Sequence, residues 1–247
     1  MALLTTTAFV LRVDPISERD LVAALLTKEH GVVRAAVKGA RGRSRRAAAL
    51  QTLCEVSATC YRREGADLAR LDSVEILHSS YPLAQRPETA MLVPYLAESA
   101  LTFVPESEPG GEVYRLVRHV RDALEVGLPP ALCARYFEVW LLKLSGVLPE
   151  EGTCAVCGEP IPPGDTLLDG GAGGLCHPPC APRGGVVVPA AARGLLRAMR
   201  RLPLPQVAPL AGPDDEALAG VEALCRDARR RFLGHELKSY RFLSALA

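Results

Sequence analysis

Four of the eight cysteines stand close together, as Cys154-Ala-Val-Cys157-Gly and Cys176-His-Pro-Pro-Cys180. A C-x2-C knuckle followed by a second close pair is the spacing that gathers four thiolates around one Zn²⁺. Gly158 would ease the tight turn of the first knuckle, and the run Gly170–Gly174 would bring the chain back between the halves. Two disulfides are the alternative, disfavoured because no secretion signal precedes them. The second pair is the looser C-x3-C, with His177 beside Cys176. Neighbouring residues seldom both reach one metal, so the expected ligands are Cys154, Cys157, Cys176 and Cys180. Four thiolates leave no position for a catalytic water, and the single zinc is expected to be structural. Cys54, Cys60, Cys133 and Cys225 lie scattered on apolar faces and read as buried bystanders.

A second signal is electrostatic. Between Glu29 and Glu55 there is no acidic residue, while Arg34, Lys38, Arg41, Arg43, Arg45 and Arg46 all fall there. The last five belong to a glycine-interrupted loop in which like charges repel unless phosphates neutralise them. Arginine abundance alone carries no message, because a GC-rich genome also produces it. The position of these arginines does, and it favours a nucleic acid over a merely solvated loop. Residues 1–79 hold only two aromatics, Phe9 and Tyr61. A base-stacking platform is therefore excluded, and binding should be led by phosphates on single or double strands, with strong salt dependence.

The 29 basic against 28 acidic side chains exclude a uniformly basic binder. By segment the charge is +3 over 1–79, −3 over 80–150, −3 over 151–188 and +4 over 189–247. There is no phosphate-binding G-x-x-x-x-G-K-[ST] loop, no H-E-x-x-H, and no nucleophile–base pair to nominate. Glu18 and Asp20 beside Arg19 read as turn residues rather than acid–base chemistry. Binding, not catalysis, is the expectation. No apolar run is long enough to span a bilayer and no signal-peptide pattern opens the chain, so a soluble intracellular protein is expected.

The elements that must position these groups are also legible. Phe9, Leu11 and Val13 alternate before Asp14-Pro15, with Phe9 on the inward period. Leu21–Thr27, Val32–Val37, Leu50–Arg62 and Leu68–Leu77 give four more candidate strands, although Leu21–Thr27 is short enough to be helical. Five short strands fit a small barrel or sandwich. From Pro87 the period becomes helical. Val113, Leu116, Val117, Val120 and Leu124 share one face, with Arg115, Arg118 and Arg121 expected on the exposed side. Leu132–Leu144 reads as a more buried helix, and Leu218, Val221, Cys225, Ala228 and Phe232 mark a last one. The expected organisation is thus an α+β protein of three parts: a β-barrel over 1–79, a helical bundle over 80–150 and 189–247, and a zinc-binding segment over 151–188.

Phe9-Val-Leu-Arg, Glu18-Arg-Asp-Leu-Val, Glu29-His-Gly-Val-Val-Arg and Lys38-Gly-Ala-Arg41 together resemble the N-terminal signature of the bacterial RecO recombination mediators. The mid-chain cysteines and Leu237-Lys-Ser239 are similar too. The resemblance implies an OB-fold barrel, a helical domain and a zinc segment. It implies annealing of complementary strands and, with RecR, loading of RecA onto DNA coated by single-strand-binding protein (SSB), in the bacterial cytoplasm at the nucleoid. Lys38 and Arg41 carry over as DNA-binding positions; Arg43, Arg45 and Arg46 carry over only as a charged loop. Arg226, Arg229, Arg230 and Arg231 are candidates to extend the DNA track. Arg115, Arg118 and Arg121 are candidates to receive the acidic SSB tail. Competing readings are a zinc-dependent metalloenzyme acting on nucleic acid and a purely structural adaptor.

Overall fold

The computed structural model describes residues 2–40, 48–63, 65–106, 109–181, 185–211 and 215–243. Five strands open the chain: β1 (Ala2–Pro15), β2 (Leu21–Thr27), β3 (Val32–Val37), β4 (Glu55–Arg62) and β5 (Ala69–His78). They close into a barrel in the order β1-β2-β3-β5-β4, with β1 antiparallel to both β2 and β4. All pairs are antiparallel except β3–β5. A closed sheet this small has a narrow interior, and small side chains fill it: Ala8, Val10, Ala23, Ala35, Ala58 and Ala69 with Leu25 and Leu71.

The parity of β1 differs from the sequence expectation. Ala8 and Val10 point into the core, whereas Phe9 is fully buried on the outer face, its ring 5.0 Å from that of Tyr114. A bulge explains this. Val10 pairs with Leu25 but Arg12 pairs with Ala24, so Leu11 is an extra residue that flips the alternation. Beyond it Val13 packs inward and Arg12 points out. The entry to β4 is fixed against the same strand: buried Leu53 has φ +62 and donates its N–H to Val10 O at 2.7 Å.

Helices follow: α1 (Tyr81–Ala84), α2 (Pro87–Ala90), α3 (Leu92–Phe103), α4 (Gly111–Glu125) and α5 (Pro130–Leu144). A three-stranded sheet of order β7-β6-β8 comes next, from β6 (Thr166–Asp169), β7 (Gly174–Cys176) and β8 (Val186–Val188). Helices α6 (Ala190–Met199), α7 (Leu204–Ala211), α8 (Asp215–Leu233) and α9 (Tyr240–Leu243) complete the described chain.

The chain divides into two compact units, Met1–His119 with Arg241–Leu243, and one beginning at Val120 and running to Tyr240. In the first unit α3 packs on β1 and β2, and the first half of α4 covers Phe9. In the second unit α8 packs on α5 and α6. Trp140 of α5 donates its indole N–H to Met199 O at 2.8 Å. Residues 151–188 fall within this unit.

Candidate metal centre and basic surfaces

The first knuckle is built by backbone hydrogen bonds. Cys154 N donates to Glu159 O at 2.9 Å and Gly158 N returns to Cys154 O at 2.9 Å, with Gly158 at φ +77. A side chain at 158 would be strained in that left-handed conformation. The second half leaves β7 through extended His177 and closes in a 3-10 turn, where Cys180 N donates to His177 O at 2.9 Å. One ligand atom from each of Cys154, Cys157, His177 and Cys180 comes within 4.8 Å of all the others.

His177, not Cys176, completes the set, which corrects the expected four-thiolate cage. Successive side chains of an extended segment point to opposite faces. Cys176 ends β7 fully buried, its sulfur 3.5 Å from Leu167 O. His177 therefore faces the knuckle, with Nδ1 3.5 Å from Cys157 Sγ and 3.9 Å from Cys180 Sγ. Its Nε2 lies 3.1 Å from Pro160 O. A carbonyl can only accept, so Nε2 donates there and Nδ1 is the ring nitrogen that faces the sulfurs. The signal was present in the sequence: C-x2-C and H-x2-C share one spacing.

The donor chemistry fits a cation. Burial pushes the Cys154 thiol up, but backbone N–H groups of Cys157, His177 and Val156 outweigh it and bring it down to about 6. Burial, and then the neighbouring Cys157 and Cys154, push the Cys180 thiol up to about 11. One sulfur gives up its proton readily and the next resists, because thiolates crowded together need a positive charge among them. The segment is also clamped from outside. Buried Arg193 of α6 donates to the carbonyls of Pro162, Gly164, Glu151 and Ile161 at 2.8, 2.9, 3.2 and 3.3 Å. Pattern reading gave no hint of this role, since Arg193 sits at an ordinary helical position.

The basic stretch lies partly in view. Arg41, Arg43, Arg45 and Arg46 fall outside the described residues. The chain on both sides of them is anchored in the barrel: Ala40 is fully buried, Ala49 and Leu50 are buried, and Gly39 N donates to Asp20 Oδ1 at 2.9 Å. Lys38 is exposed at the end of β3. Arg34 points outward from β3, and the register Arg12↔Ala24↔Arg34 puts Arg12 in the same row. Arg12, Asp14, Arg34, Val22, Ala24 and Leu101 line a groove of about 130 Å³. Arg12 is a basic residue that sequence reading missed, because the bulge hides its parity. Both guanidiniums are paired, Arg12 with Asp14 at 2.7 Å and Arg34 with Glu106 at 2.8 Å. Of the two aromatics of residues 1–79, Phe9 is buried, and Tyr61 is half-buried with the Arg70 guanidinium 5.2 Å from its ring centre.

Two further expectations need correction. Arg115 and Arg118 are exposed on α4, but Arg121 is only 2% exposed and binds Asp122 at 2.6 Å, so the three do not form one exposed stripe. Steps of three residues drift by about 60° per step, which carries the third arginine onto the buried face. Arg229 is likewise buried, held by Glu138 and Glu236 at 2.9 Å each, and leaves the proposed C-terminal track.

A small closed sheet with basic residues on its outer wall, followed by helices and a small sheet whose turns gather three thiols and an imidazole positioned to hold a metal ion, defines a two-unit protein. The family models for recombination protein O match the chain at residues 1–80 for the N-terminal part and 84–241 for the C-terminal part. The DNA repair protein RecO of Anaeromyxobacter sp. (strain K) is 37% identical over 235 residues, 94% of this chain and 90% of the relative. That of Dehalococcoides mccartyi is 24% identical over 244 residues, 98% of this chain and 95% of the relative. The chain belongs to the RecO family of DNA repair proteins. No helix among the described residues is long and apolar enough to cross a membrane.

Proposed function

We propose that this chain is a recombination mediator that binds single- and double-stranded DNA, anneals complementary strands and, with RecR, loads RecA onto SSB-coated single strands. The observation that carries this reading is the match of both family models, which together span nearly the whole chain. The strand order β1-β2-β3-β5-β4 supports assigning the barrel to the OB-fold class, whose members bind oligonucleotides. The metal is Zn²⁺: three sulfurs and one imidazole nitrogen suit a tetrahedral, redox-inert ion, and they fill all four positions. When bound, it cross-links the two halves of a segment with little apolar core of its own.

Complementary strands repel each other, and the chain's own side chains must lower that barrier. Arg34, Lys38, Arg41, Arg43, Arg45 and Arg46, joined by Arg12, would contact phosphates and leave base edges free to pair. With no aromatic platform on this wall, bases are not held in competing stacks. The SSB tail is expected on Arg115 and Arg118 alone, an acidic peptide meeting two exposed guanidiniums. The reading involves no covalent step. It is tested by annealing labelled complementary oligonucleotides, bare and SSB-coated, without nucleotide. Acceleration that falls when Arg41, Arg43, Arg45 and Arg46 are all changed to Ala supports it. Absence of salt-dependent DNA binding, or cleavage of the labelled strand, rejects it.

A further inference from the structure

The second unit carries a basic groove that the metal centre does not use. Its volume is about 640 Å³, and Leu168, Val186, Arg226, Asp227, Arg230 and Arg231 are among its lining residues. Arg226 and Arg230 are one turn apart on α8, a rise of about 6 Å.

Two of the three guanidiniums are held from behind. Arg231 Nε donates to Asp227 Oδ2 at 2.7 Å, and its Nη2 reaches Asp169 O at 3.5 Å. A Cβ at Gly173 would come within 3.2 Å of Arg231 Nη1, and Gly173 has φ +79, so glycine lets the guanidinium lie close over the β6–β7 loop. Arg226 Nε donates to Glu236 at 3.0 Å, and its guanidinium carbon sits 4.9 Å from the Tyr240 ring centre. A guanidinium has five donors in one plane, and these contacts use only some of them. The rest are presented with side-chain freedom already reduced, which lowers the entropic cost of meeting an anion. Arg230 has no ion pair among the described residues. Asp227 is the sole carboxylate among the lining residues, and Arg231 already engages it.

We propose that this groove binds the phosphate backbone of a second nucleic-acid strand, so that each unit of the chain has its own strand site. Positive charges repeated along a helix axis suit a polyanion with a regular charge repeat, and phosphate contacts hold a strand without reading its bases. An acidic peptide would bring irregular charge and rely on the apolar wall of Leu168, Val186 and Ala223. The inference rests on the DNA-binding reading above and adds to it: a strand on the barrel wall and another here are neutralised separately before they pair.

The test uses the full metal-loaded chain with donor- and acceptor-labelled oligonucleotides that are not complementary. Energy transfer between them reports two strands on the protein. Arg230→Glu, and Arg226→Ala with Arg230→Ala, should keep first-strand affinity within about twofold while two-strand transfer and annealing fall about tenfold, the loss of about two phosphate contacts. Arg230→Lys should largely restore both. Two outcomes overturn the groove assignment and leave the DNA reading intact: unchanged transfer and annealing in both variants, or a groove that loses binding of an acidic peptide while two-strand transfer persists. A wild-type chain that binds no DNA overturns both.

Discussion

His177 turns its Nδ1 to within 3.5 Å of the Cys157 sulfur while its Nε2 lies 3.1 Å from the carbonyl of Pro160. One ring thus joins the two halves of the metal centre and is oriented by the first knuckle's own backbone. The centre consequently depends on His177 and not on its neighbour. His177→Ala and Cys154→Ser should lose the bound metal, each lowering affinity by at least about tenfold, whereas Cys176→Ser should retain one equivalent. Metal content after dialysis against a chelator decides it; loss from Cys176→Ser with retention by His177→Ala would restore the four-thiolate assignment.

Stripping the metal should loosen residues 151–188 selectively. Hydrogen exchange there should speed up by orders of magnitude, while β1–β5 keep their protection, because the barrel has its own apolar core. Uniform deprotection of both units would contradict this.

The carboxylate on Arg34 competes with phosphate. Glu106→Gln keeps the side-chain shape but removes the charge that holds Arg34 at 2.8 Å. Exposed pairs are worth at most about 1 kcal/mol, so DNA affinity should rise by no more than about fivefold. Arg34→Ala should lower the slope of log K against log salt by about 0.7–0.9. A titration at several salt concentrations reads both.

Tyr114 of α4 donates to buried Glu55 at the start of β4, 2.5 Å away. Burial, and then this bond, push the Tyr114 hydroxyl up from its ordinary 10 to about 12. A raised acid stabilises the fold fully below its unfolded value and loses that contribution as pH climbs through the folded one. Stability should therefore fall between about pH 10 and 12, followed by tyrosinate absorbance and denaturant midpoints. Tyr114→Phe should cost about 1–3 kcal/mol at neutral pH and remove this part of the alkaline loss.

Glu138 sits between two buried arginines, 3.0 Å from Arg135 and 2.9 Å from Arg229. Glu138→Ala leaves both cations without that counter-charge inside the second unit and should destabilise it by about 3–5 kcal/mol. Urea unfolding measures this; a change below about 1 kcal/mol would mean that the network contributes little.

Much of this protein is legible from local pattern. The strands Leu21–Thr27 and Val32–Val37 appear with the expected bounds. On α8 the expected face is only partly buried: Val221, Cys225 and Ala228 are, whereas Phe232 is 56% exposed. Cys154, Cys157 and Cys180 fall in the expected cluster: short spacing joins Cys154 to Cys157, and the fold brings Cys180 to them. The exceptions share a cause: each depends on which way one residue points. A single bulge at Leu11 placed Phe9 outside and Arg12 on the basic wall; one step along β7 exchanged Cys176 for His177; angular drift around α4 buried Arg121.

The sequence by itself determined the classes of element, the cysteine-rich segment and the acid-free basic window, since periodicity and composition are local properties. Tertiary structure alone decided which basic side chains meet solvent and which are consumed in buried pairs. It alone set Arg193 across four carbonyls and Arg231 over Gly173. The physical reason is that exposure, ion pairing and ligand choice are fixed by side-chain direction relative to distant neighbours, and no pattern along the chain encodes those neighbours directly.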